Sequence, residues 1–295
     1  MRVLVTGAGG YLGSACVDLL ARRHDVIGFG HGTHFPFLRK KLDSSVQWIE
    51  GSTENISDFI PRLGDVDVVI HMAVRFNSLR SVVHFCQTTN VSRIIFPSTY
   101  AVYSNSDKSL SEMDALCPET EYAKEKEASE QFLRESDMSY TILRLSHVYG
   151  PGVGIGDEGG VLVRWLDQAI RGMDIEVIDG ETIERDYTHL RDVISCVEAS
   201  LENSSAMRRI YNVGSGVVVT LLELAQEIIN AVGEESGQCV GIQNISSQPP
   251  VLWKKRVDIR RAGEELKFYP RIKLIEGIRE MVRSRRTTLL EGSSR

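Results

Sequence analysis

The segment Met1–Gly13, MRVLVTGAGGYLG, decides how the rest of the chain can fold. Residues 2–6 are apolar and rich in β-branched side chains, which is typical of a parallel strand covered on both faces. Gly7, Gly10 and Gly13 follow at intervals of three, and an apolar helical pattern begins at residue 11. A strand, a glycine turn and a helix N-terminus together predict a pyrophosphate site for a dinucleotide, with a simple turn as the alternative interpretation.

Composition and charge exclude several classes of protein. The chain has 295 residues, is 42% hydrophobic and 25% charged, and carries a net charge of −6. These values are typical of a globular protein, and the acidic balance indicates no nucleic-acid partner. No apolar run approaches the about 20 residues of a membrane-spanning helix, and a strand starting at residue 2 leaves no room for a signal peptide. Five scattered cysteines without C-x-x-C spacing predict reduced thiols, no metal and a cytoplasmic location.

The first half of the chain alternates strand-like and helix-like segments. At these lengths the alternation predicts an α/β fold, a Rossmann-type doubly wound parallel sheet with ligands at the carboxyl ends of its strands. The predicted strands cover residues 2–6, 25–29, 46–50, 66–72, 93–97 and 140–145, and predicted helices cover 11–23, 56–63, 77–90 and 121–135.

The pattern changes after residue 149. Residues 150–160 contain six glycines and one proline, which favours a lid over a core element. We expect residues 1–149 to form the dinucleotide-binding domain, with 180–215 returning to it, and residues 150–295 to form mainly a smaller α/β substrate-binding domain. The polar end, 284–295, is expected to fray. Further helices are predicted near 161–171, 190–201, 221–232, 259–266 and 274–282, with strands at 175–178 and 210–213.

Tyr122 and Lys126 are one helical turn apart, so they share one face of the predicted helix 121–135. A tyrosine with an ordinary pKa of about 10 is a poor base at neutral pH. A lysine ammonium one turn away, together with a bound nicotinamide cation, would lower that pKa. Ser98 and Thr99 stand just past the fifth predicted strand, where a hydroxyl could bridge the tyrosine and a substrate oxygen. The alternative is a solvated pair on a charged helix.

These stretches resemble the extended short-chain dehydrogenase/reductase family, specifically its sugar-nucleotide epimerases and dehydratases. The resemblance covers nearly the whole chain in the family's order. Its motifs are TGAGGYLG (Thr6–Gly13), HMAV (His71–Val74), STYAVY (Ser98–Tyr103), YAKEK (Tyr122–Lys126), LRLSHVYGPG (Leu143–Gly152), RDYTHLRDV (Arg185–Val193), YNVGSG (Tyr211–Gly216) and VDIRRAGEEL (Val257–Leu266).

The resemblance implies a catalytic triad of Thr99, Tyr122 and Lys126. It also implies NAD or NADP as the cofactor and a nucleoside-diphosphate sugar as the substrate. The implied cofactor contacts are Gly7, Gly10, Tyr11, Leu12, Gly13, Gly30, His31, Ser52, Thr53, Met72, Ala73, Val74 and Leu145, beside Tyr122 and Lys126, and the implied substrate contacts are His147, Arg185, Tyr187 and Arg256, beside Thr99.

The second strand departs from the family's NAD-preferring members, which end it with an aspartate for the adenosine ribose. Gly30 and His31 stand here, and the basic run Arg39–Lys41 is nearby. Without a carboxylate to repel a 2′-phosphate, the pattern leans toward NADP, although a basic run is also typical of a solvated surface. Ser52 replaces the aspartate usual beside the adenine, and the segment after Val74 is shorter than the family norm.

Other departures narrow the reaction type. Tyr100–Ala101 stands where the family's 4,6-dehydratases carry Asp-Glu, so dehydration is not expected. Residues 248–251 replace the Arg-x-Gly-Asp segment with which the 4-epimerases clamp the diphosphate. Arg256, Lys254 and Lys255 could substitute for that clamp, since arginine grips a phosphate through two hydrogen bonds. The alternative for the two lysines is a surface charge.

The resemblance therefore implies an NAD(P)-dependent sugar-nucleotide enzyme, most directly a nucleoside-diphosphate-hexose 4-epimerase that passes through a transient 4-keto sugar. The alternative is an NADPH-dependent reductase of a nucleoside-diphosphate 4-keto-6-deoxyhexose, which Gly30 favours. A non-catalytic dinucleotide sensor on the same fold is a third reading, and the retention of Tyr122 and Lys126 argues against it.

The family commonly dimerises through two helices, which correspond to residues 77–90 and 121–135. The first of these helices carries an apolar face wider than one contact needs, which predicts a homodimer. The alternative is that this face packs within the core of the monomer. It consists of Leu79, Val82, Val83 and Phe85.

Overall fold

The computed structural model describes residues 1–32, 35, 37, 38, 45–73, 75–152 and 160–292, with the backbone alone from residue 287 onward. Most of the predicted lid, Val74 and the run Arg39–Lys41 lie outside the described residues. The strands of the described part are β1 (Arg2–Thr6), β2 (Asp25–Gly30), β3 (Gln47–Glu50), β4 (Val68–His71), β5 (Arg93–Thr99), β6 (Ser106–Leu110), β7 (Tyr140–Leu145), β8 (His147–Tyr149), β9 (Ile175–Ile178), β10 (Glu184–His189), β11 (Arg209–Val213), β12 (Val218–Thr220), β13 (Ile242–Ile245) and β14 (Lys255–Val257).

The helices follow the predicted apolar periodicity. The helix that carries Tyr122 begins and ends at the predicted residues, and Thr120 caps it by accepting a hydrogen bond from the Ala123 N–H. No helix of the described residues is long and apolar enough to cross a membrane. The α-helices described are α1 (Tyr11–Leu20), α2 (Ile60–Leu63), α3 (Phe76–Thr88), α4 (Glu121–Glu135), α5 (Gly160–Ile170), α6 (Leu190–Glu202), α7 (Leu221–Ser236), α8 (Arg260–Leu266) and α9 (Leu274–Gly292).

Seven parallel strands form the main sheet, in the order β11-β7-β5-β4-β1-β2-β3. The predicted doubly wound parallel sheet is therefore confirmed. The strand order reverses direction beside β1, and in such sheets a crevice opens there at the carboxyl ends of the strands. The turn after β1, the residues after β4 and the end of β5 consequently meet at one edge.

Two apolar layers cover the faces of this sheet, and alternate residues of β1 point into them. Val3 and Val5 pack with residues of α1 and α6 on one face. Leu4 packs on the other face with Leu133 of α4 and with the apolar side chains of α3. This burial on both faces explains the unbroken apolar run at residues 2–6.

The second half of the chain adds three small sheets, with the strand orders β12-β10-β8, β13-β9 and β14-β6. Helices α5, α7 and α9 pack around a separate apolar core that includes the buried Trp165. Strand β11 returns to the main sheet beside β7. The division into a dinucleotide-binding domain and a substrate-binding domain stays a prediction.

Three expectations about elements were wrong in detail. Residues 56–63 form two pieces, a 3-10 helix at Thr53–Phe59 followed by α2. Residues 284–295 were expected to fray, but helix α9 continues through residue 292, and residues 293–295 lie outside the described residues. The short strands β6, β8, β10, β12, β13 and β14 had no predicted counterpart, because segments of three to six residues with polar side chains show no clear period of two.

The apolar face of α3 is used within the monomer. All four of its side chains are at most 3% exposed and pack against the main sheet. The argument for a homodimer from this face is therefore wrong, because the face packs on the sheet of its own chain. The four residues are Leu79, Val82, Val83 and Phe85.

Candidate functional site

The turn after β1 is shaped by contacts that only glycine permits. Gly7 has a φ of 69°, and a Cβ there would lie 2.8 Å from the Ala73 nitrogen. A Cβ on Gly13 would lie 2.1 Å from the Gly7 carbonyl oxygen. Helix α1 starts at Tyr11 without a side-chain cap, so the N–H groups of its first turn face outward to an anion. The turn therefore fits a dinucleotide pyrophosphate.

The side chain of Tyr11 has a different contact from the one implied for its position. Its hydroxyl donates a hydrogen bond to the Gly150 carbonyl at 2.8 Å, and its ring packs against Gly152. Burial raises the pKa of Tyr11, which keeps the hydroxyl a donor. Its backbone N–H remains at the helix N-terminus, while its side chain joins α1 to the residues after β8.

A cavity of about 460 Å³ lies beyond the turn, next to the carboxyl end of β2. Four of the cofactor contacts that the resemblance implies line this cavity, namely His31, Ser52, Thr53 and Ala73. A Cβ on Gly30 would lie 3.2 Å from the Ala8 nitrogen. The cavity also contains a carboxylate and a guanidinium that sequence reasoning did not assign to the cofactor. Its lining residues are His31, Ser52, Thr53, Glu54, Ala73, Arg75 and Ser78.

A second cavity, of about 420 Å³, brings the implied catalytic triad together. Thr99 lies at the end of β5, while Tyr122 and Lys126 lie on the first two turns of α4. We call this space the catalytic cavity. It is lined by Leu12, Met72, Pro97, Ser98, Thr99, Tyr100, Ala101, Tyr122, Lys126, Leu145, Ser146, His147, Val148, Arg185 and Trp253.

Lys126 is buried, and its Nζ donates to the Pro97 carbonyl at 2.8 Å. Burial lowers the pKa of Lys126 to about 8. Tyr122 is half exposed, and burial of part of its ring together with the Glu125 carboxylate raises its pKa. Glu125 is held in place because it accepts a hydrogen bond from the Phe76 N–H at 2.7 Å. The sequence predicted that Lys126 and a bound nicotinamide cation together lower the pKa of Tyr122. Lys126 alone does not lower it.

A buried ionic network next to Thr99 had no signal in the sequence. Arg144 of β7 and Glu130 of α4 form an ion pair at 2.6 Å, and both side chains are almost fully buried. Ser98 donates to Glu130 at 2.5 Å, and Arg144 donates to the Tyr103 hydroxyl at 2.7 Å. The network ties α4 to the ends of β5 and β7. It engages the Ser98 hydroxyl, whereas the Thr99 hydroxyl lies in the cavity wall and accepts a hydrogen bond from a backbone N–H.

Aromatic rings and buried polar atoms cluster around His147, both in the wall of the catalytic cavity and behind that wall. His147 stacks on Tyr187 at 5.3 Å between ring centres and meets the edge of Tyr100 at 5.3 Å. Burial lowers the pKa of His147 to about 3, so this imidazole is neutral at pH 7. Buried polar atoms without a partner are costly, and a polar ligand would supply partners. Those without a hydrogen bond of normal geometry here are Tyr100 Oη, His147 Nε2, Arg185 Nε, Tyr187 Oη and Trp253 Nε1, although Tyr100 interacts with Trp253 and Tyr187 with Arg185.

Arg185 also lines a third cavity, of about 460 Å³, which we call the outer cavity. The buried Trp165 and the aliphatic side chains of Ile178 and Leu221 supply its apolar wall. Its polar groups besides Arg185 come from α5 and β9. The full lining is Val161, Arg164, Trp165, Gln168, Glu176, Ile178, Arg185 and Leu221.

Two of the implied substrate contacts lie apart from the catalytic cavity. Tyr187 stands behind His147 and lines another cavity, of about 450 Å³. Arg256 is exposed and pairs with Glu184 at 3.4 Å. Lys255, suggested for a phosphate clamp, is instead buried.

Comparisons with known proteins show which family the chain resembles along its sequence. The sequence profile of the NAD dependent epimerase/dehydratase family matches residues 3–214. The chain is 28% identical to dTDP-4-dehydro-6-deoxyglucose reductase of Escherichia coli, over 96% of each chain. It is 27% identical to UDP-glucose 4-epimerase of Mycolicibacterium smegmatis, over 96% of this chain and 97% of the relative.

Solved structures show the same fold. UDP-glucose 4-epimerase of Thermotoga maritima, solved with UDP-glucose, superposes with a TM-score of 0.83 at 24% identity, covering 98% of this chain and all of the other. UDP-glucose 4-epimerase of Thermus thermophilus, solved with NAD, superposes with a TM-score of 0.82 at 24% identity, covering 97% of this chain and 99% of the other.

Proposed function

This chain belongs to the NAD dependent epimerase/dehydratase family, and from that premise we propose that it is a nucleoside-diphosphate-hexose 4-epimerase. One observation carries the proposal. The catalytic cavity holds Thr99, Tyr122 and Lys126 and shares Arg185 with the outer cavity. A sugar nucleotide has three parts that fit these two cavities. The sugar would lie beside the triad, the diphosphate at the Arg185 guanidinium and the nucleoside in the outer cavity.

The chain offers a continuous set of contacts for the cofactor. The glycine turn and the N-terminus of α1 would hold the pyrophosphate, and the cavity at Ser52 and Thr53 would hold the adenosine. Met72 and Leu145 would lie beside the nicotinamide at the edge of the catalytic cavity. When bound, NAD or NADP supplies the acceptor and donor of a hydride.

The residues of the triad have distinct parts in the proposed reaction. The Tyr122 oxygen takes the proton of the sugar C4 hydroxyl, and the hydrogen on C4 would leave as a hydride to the nicotinamide, so that C4 becomes a ketone. With the nicotinamide cation bound, the Lys126 ammonium would help to stabilise negative charge on that oxygen, which the lysine does not do alone. The Thr99 hydroxyl hydrogen-bonds the sugar oxygen. After the ketone presents its other face, the hydride would return to C4 and Tyr122 returns the proton to the oxygen, so the net reaction is an isomerisation with no consumed reductant.

A reductase of a nucleoside-diphosphate 4-keto-6-deoxyhexose is the second candidate. Gly30 favours it, because the carboxylate that would repel a 2′-phosphate is absent at the end of β2. The likeness to the Escherichia coli reductase points the same way. The lean toward NADP stays a prediction, since the cavity there contains both Glu54 and Arg75, which favour opposite cofactors.

Analysis of the cofactor in purified protein separates the two candidates. An epimerase returns its cofactor to the starting state in each turnover, so NAD that copurifies and a conversion of UDP-glucose or UDP-glucuronate without added cofactor are expected. Stoichiometric consumption of NADPH by an empty enzyme would contradict the epimerase and support the reductase.

A homodimer and a cytoplasmic location remain proposals, supported by the family resemblance and by five unpaired cysteines. Light scattering at micromolar concentration tests the first. A single species near 33 kDa that stays monomeric with cofactor bound would contradict the dimer.

Fractionation of cells tests the proposed cytoplasmic location.

A further inference from the structure

Lys255 is a buried lysine to which the proposed reaction assigns no part. It is 1% exposed, its Nζ donates to the Ala101 carbonyl at 3.3 Å, and this nitrogen lies 4.3 Å from the centre of the Trp253 ring. Among the described residues it has no ion pair within 4.0 Å. Burial lowers the pKa of Lys255, and Glu119 and Cys117 oppose this electrostatically without fully offsetting it. A buried ammonium without a close counter-charge is unfavourable unless something else supplies one.

The ammonium lies directly behind the wall of the catalytic cavity. Both residues that it contacts, Ala101 and Trp253, line that cavity. The Trp253 indole nitrogen and the Tyr100 hydroxyl are buried in the same wall and interact with each other, but neither makes a hydrogen bond of normal geometry. An indole N–H can only donate. A ligand atom at this wall must therefore be an acceptor.

The charges around the cavity point to the same kind of ligand. Its lining residues include Lys126 and Arg185 but no aspartate or glutamate. Hydroxyl oxygens of a neutral sugar could accept from the wall, but they would leave Lys255 without a counter-charge. A carboxylate would accept hydrogen bonds from the wall and would also supply the counter-charge for Lys255, because charge–charge attraction is strong where water is excluded.

We propose that the substrate carries an acidic sugar, a hexuronate, whose carboxylate accepts hydrogen bonds from Tyr100 and Trp253 in front of the Lys255 ammonium. This inference rests on the proposed function for the identity of the substrate as a sugar nucleotide. It adds the chemical class of the sugar and gives Lys255 a role in specificity. Arg185 remains with the diphosphate.

Calorimetric titration of the NAD-loaded protein with UDP-glucuronate and with UDP-glucose tests the inference. Both probes carry the same nucleotide, so any preference for the base cancels. We expect UDP-glucuronate to bind roughly tenfold more tightly, which is the contribution typical of a charge-assisted hydrogen bond. Lys255→Met should remove that preference while changing the affinity for UDP-glucose by less than about threefold.

Two further variants keep the test decisive. Lys108→Met removes an exposed lysine of the neighbouring strand β6 and should leave the preference intact. Trp253→Phe removes the indole N–H and should weaken UDP-glucuronate selectively even if Lys255→Met does not fold. Equal affinities in the unaltered protein, or a preference that survives Lys255→Met or Trp253→Phe, would overturn the inference. Binding of neither sugar nucleotide would contradict the proposed function itself.

Discussion

The cofactor end of the site is built from backbone, whereas the substrate end is built from side chains. Gly7 and Gly13 lie so close to neighbouring backbone that the turn leaves no room for a Cβ. At the other end His147, Arg185 and Trp253 bring buried polar atoms into one wall. The glycine turn is therefore suited to a dinucleotide pyrophosphate, a group that many enzymes bind. Replacement of single side chains in the wall can change which substrate the site accepts.

Removal of the Tyr122 hydroxyl should give the largest effect. Tyr122→Phe keeps the ring but loses the proton acceptor, so we expect turnover of the sugar nucleotide to fall by about 10²- to 10⁴-fold. Cofactor affinity, measured by fluorescence titration, should change little, because the hydroxyl is not part of the glycine turn. Undiminished turnover would show that Tyr122 is not catalytic.

A pair of glycine variants tests whether the cofactor end depends on backbone contacts alone. Gly13→Ala would place a Cβ 2.1 Å from a backbone oxygen, whereas the Cβ of Gly10→Ala would be 3.4 Å from its nearest neighbour. We expect Gly13→Ala to weaken NAD binding by more than about tenfold and Gly10→Ala by less than about threefold. Circular dichroism identifies an unfolded variant. Similar affinities in the two folded variants would refute the steric argument.

Arg185 should act on the substrate and not on the cofactor. Arg185→Met removes the guanidinium shared by the two cavities, so KM for the sugar nucleotide should rise by about tenfold while the Kd for NAD is unchanged. Arg256→Met, at an exposed position outside both cavities, should have the smaller effect on KM. A larger increase of KM in Arg256→Met than in Arg185→Met would show that Arg256 is the diphosphate contact.

The smallest effect is a pH dependence of stability at Lys126. Burial lowers the pKa of this lysine to about 8 in the folded chain, while the unfolded chain retains its ordinary value. Between these two values the unfolded state binds more protons, so the free energy of unfolding should rise with pH from about 8 upward, by roughly 1–3 kcal/mol. Urea unfolding of the unaltered protein and of Lys126→Met measures this difference. Identical pH profiles would contradict it.

The spacing of residues along the chain was enough to predict some features of the site. Tyr122 and Lys126 lie on one face because a helix repeats every 3.6 residues, and Thr120 begins that helix where the sequence predicts. The parallel sheet followed from the length and order of its segments. The face of α3 illustrates the opposite case. An apolar helical face indicates burial but not the surface that covers it, so the sequence predicted a dimer contact for residues that pack on the sheet of their own chain.

The sequence by itself determined the glycine turn, the alternation of strands and helices in the first half and the spacing of the Tyr–Lys pair, because each depends on neighbours within a few residues. Only the tertiary structure decided which distant groups meet. Glu130 and Arg144 form a buried pair across 14 positions, and Lys255 lies behind a wall that begins at Tyr100. Such contacts depend on strand order and on the packing of one layer against another, and no local period in the chain encodes them.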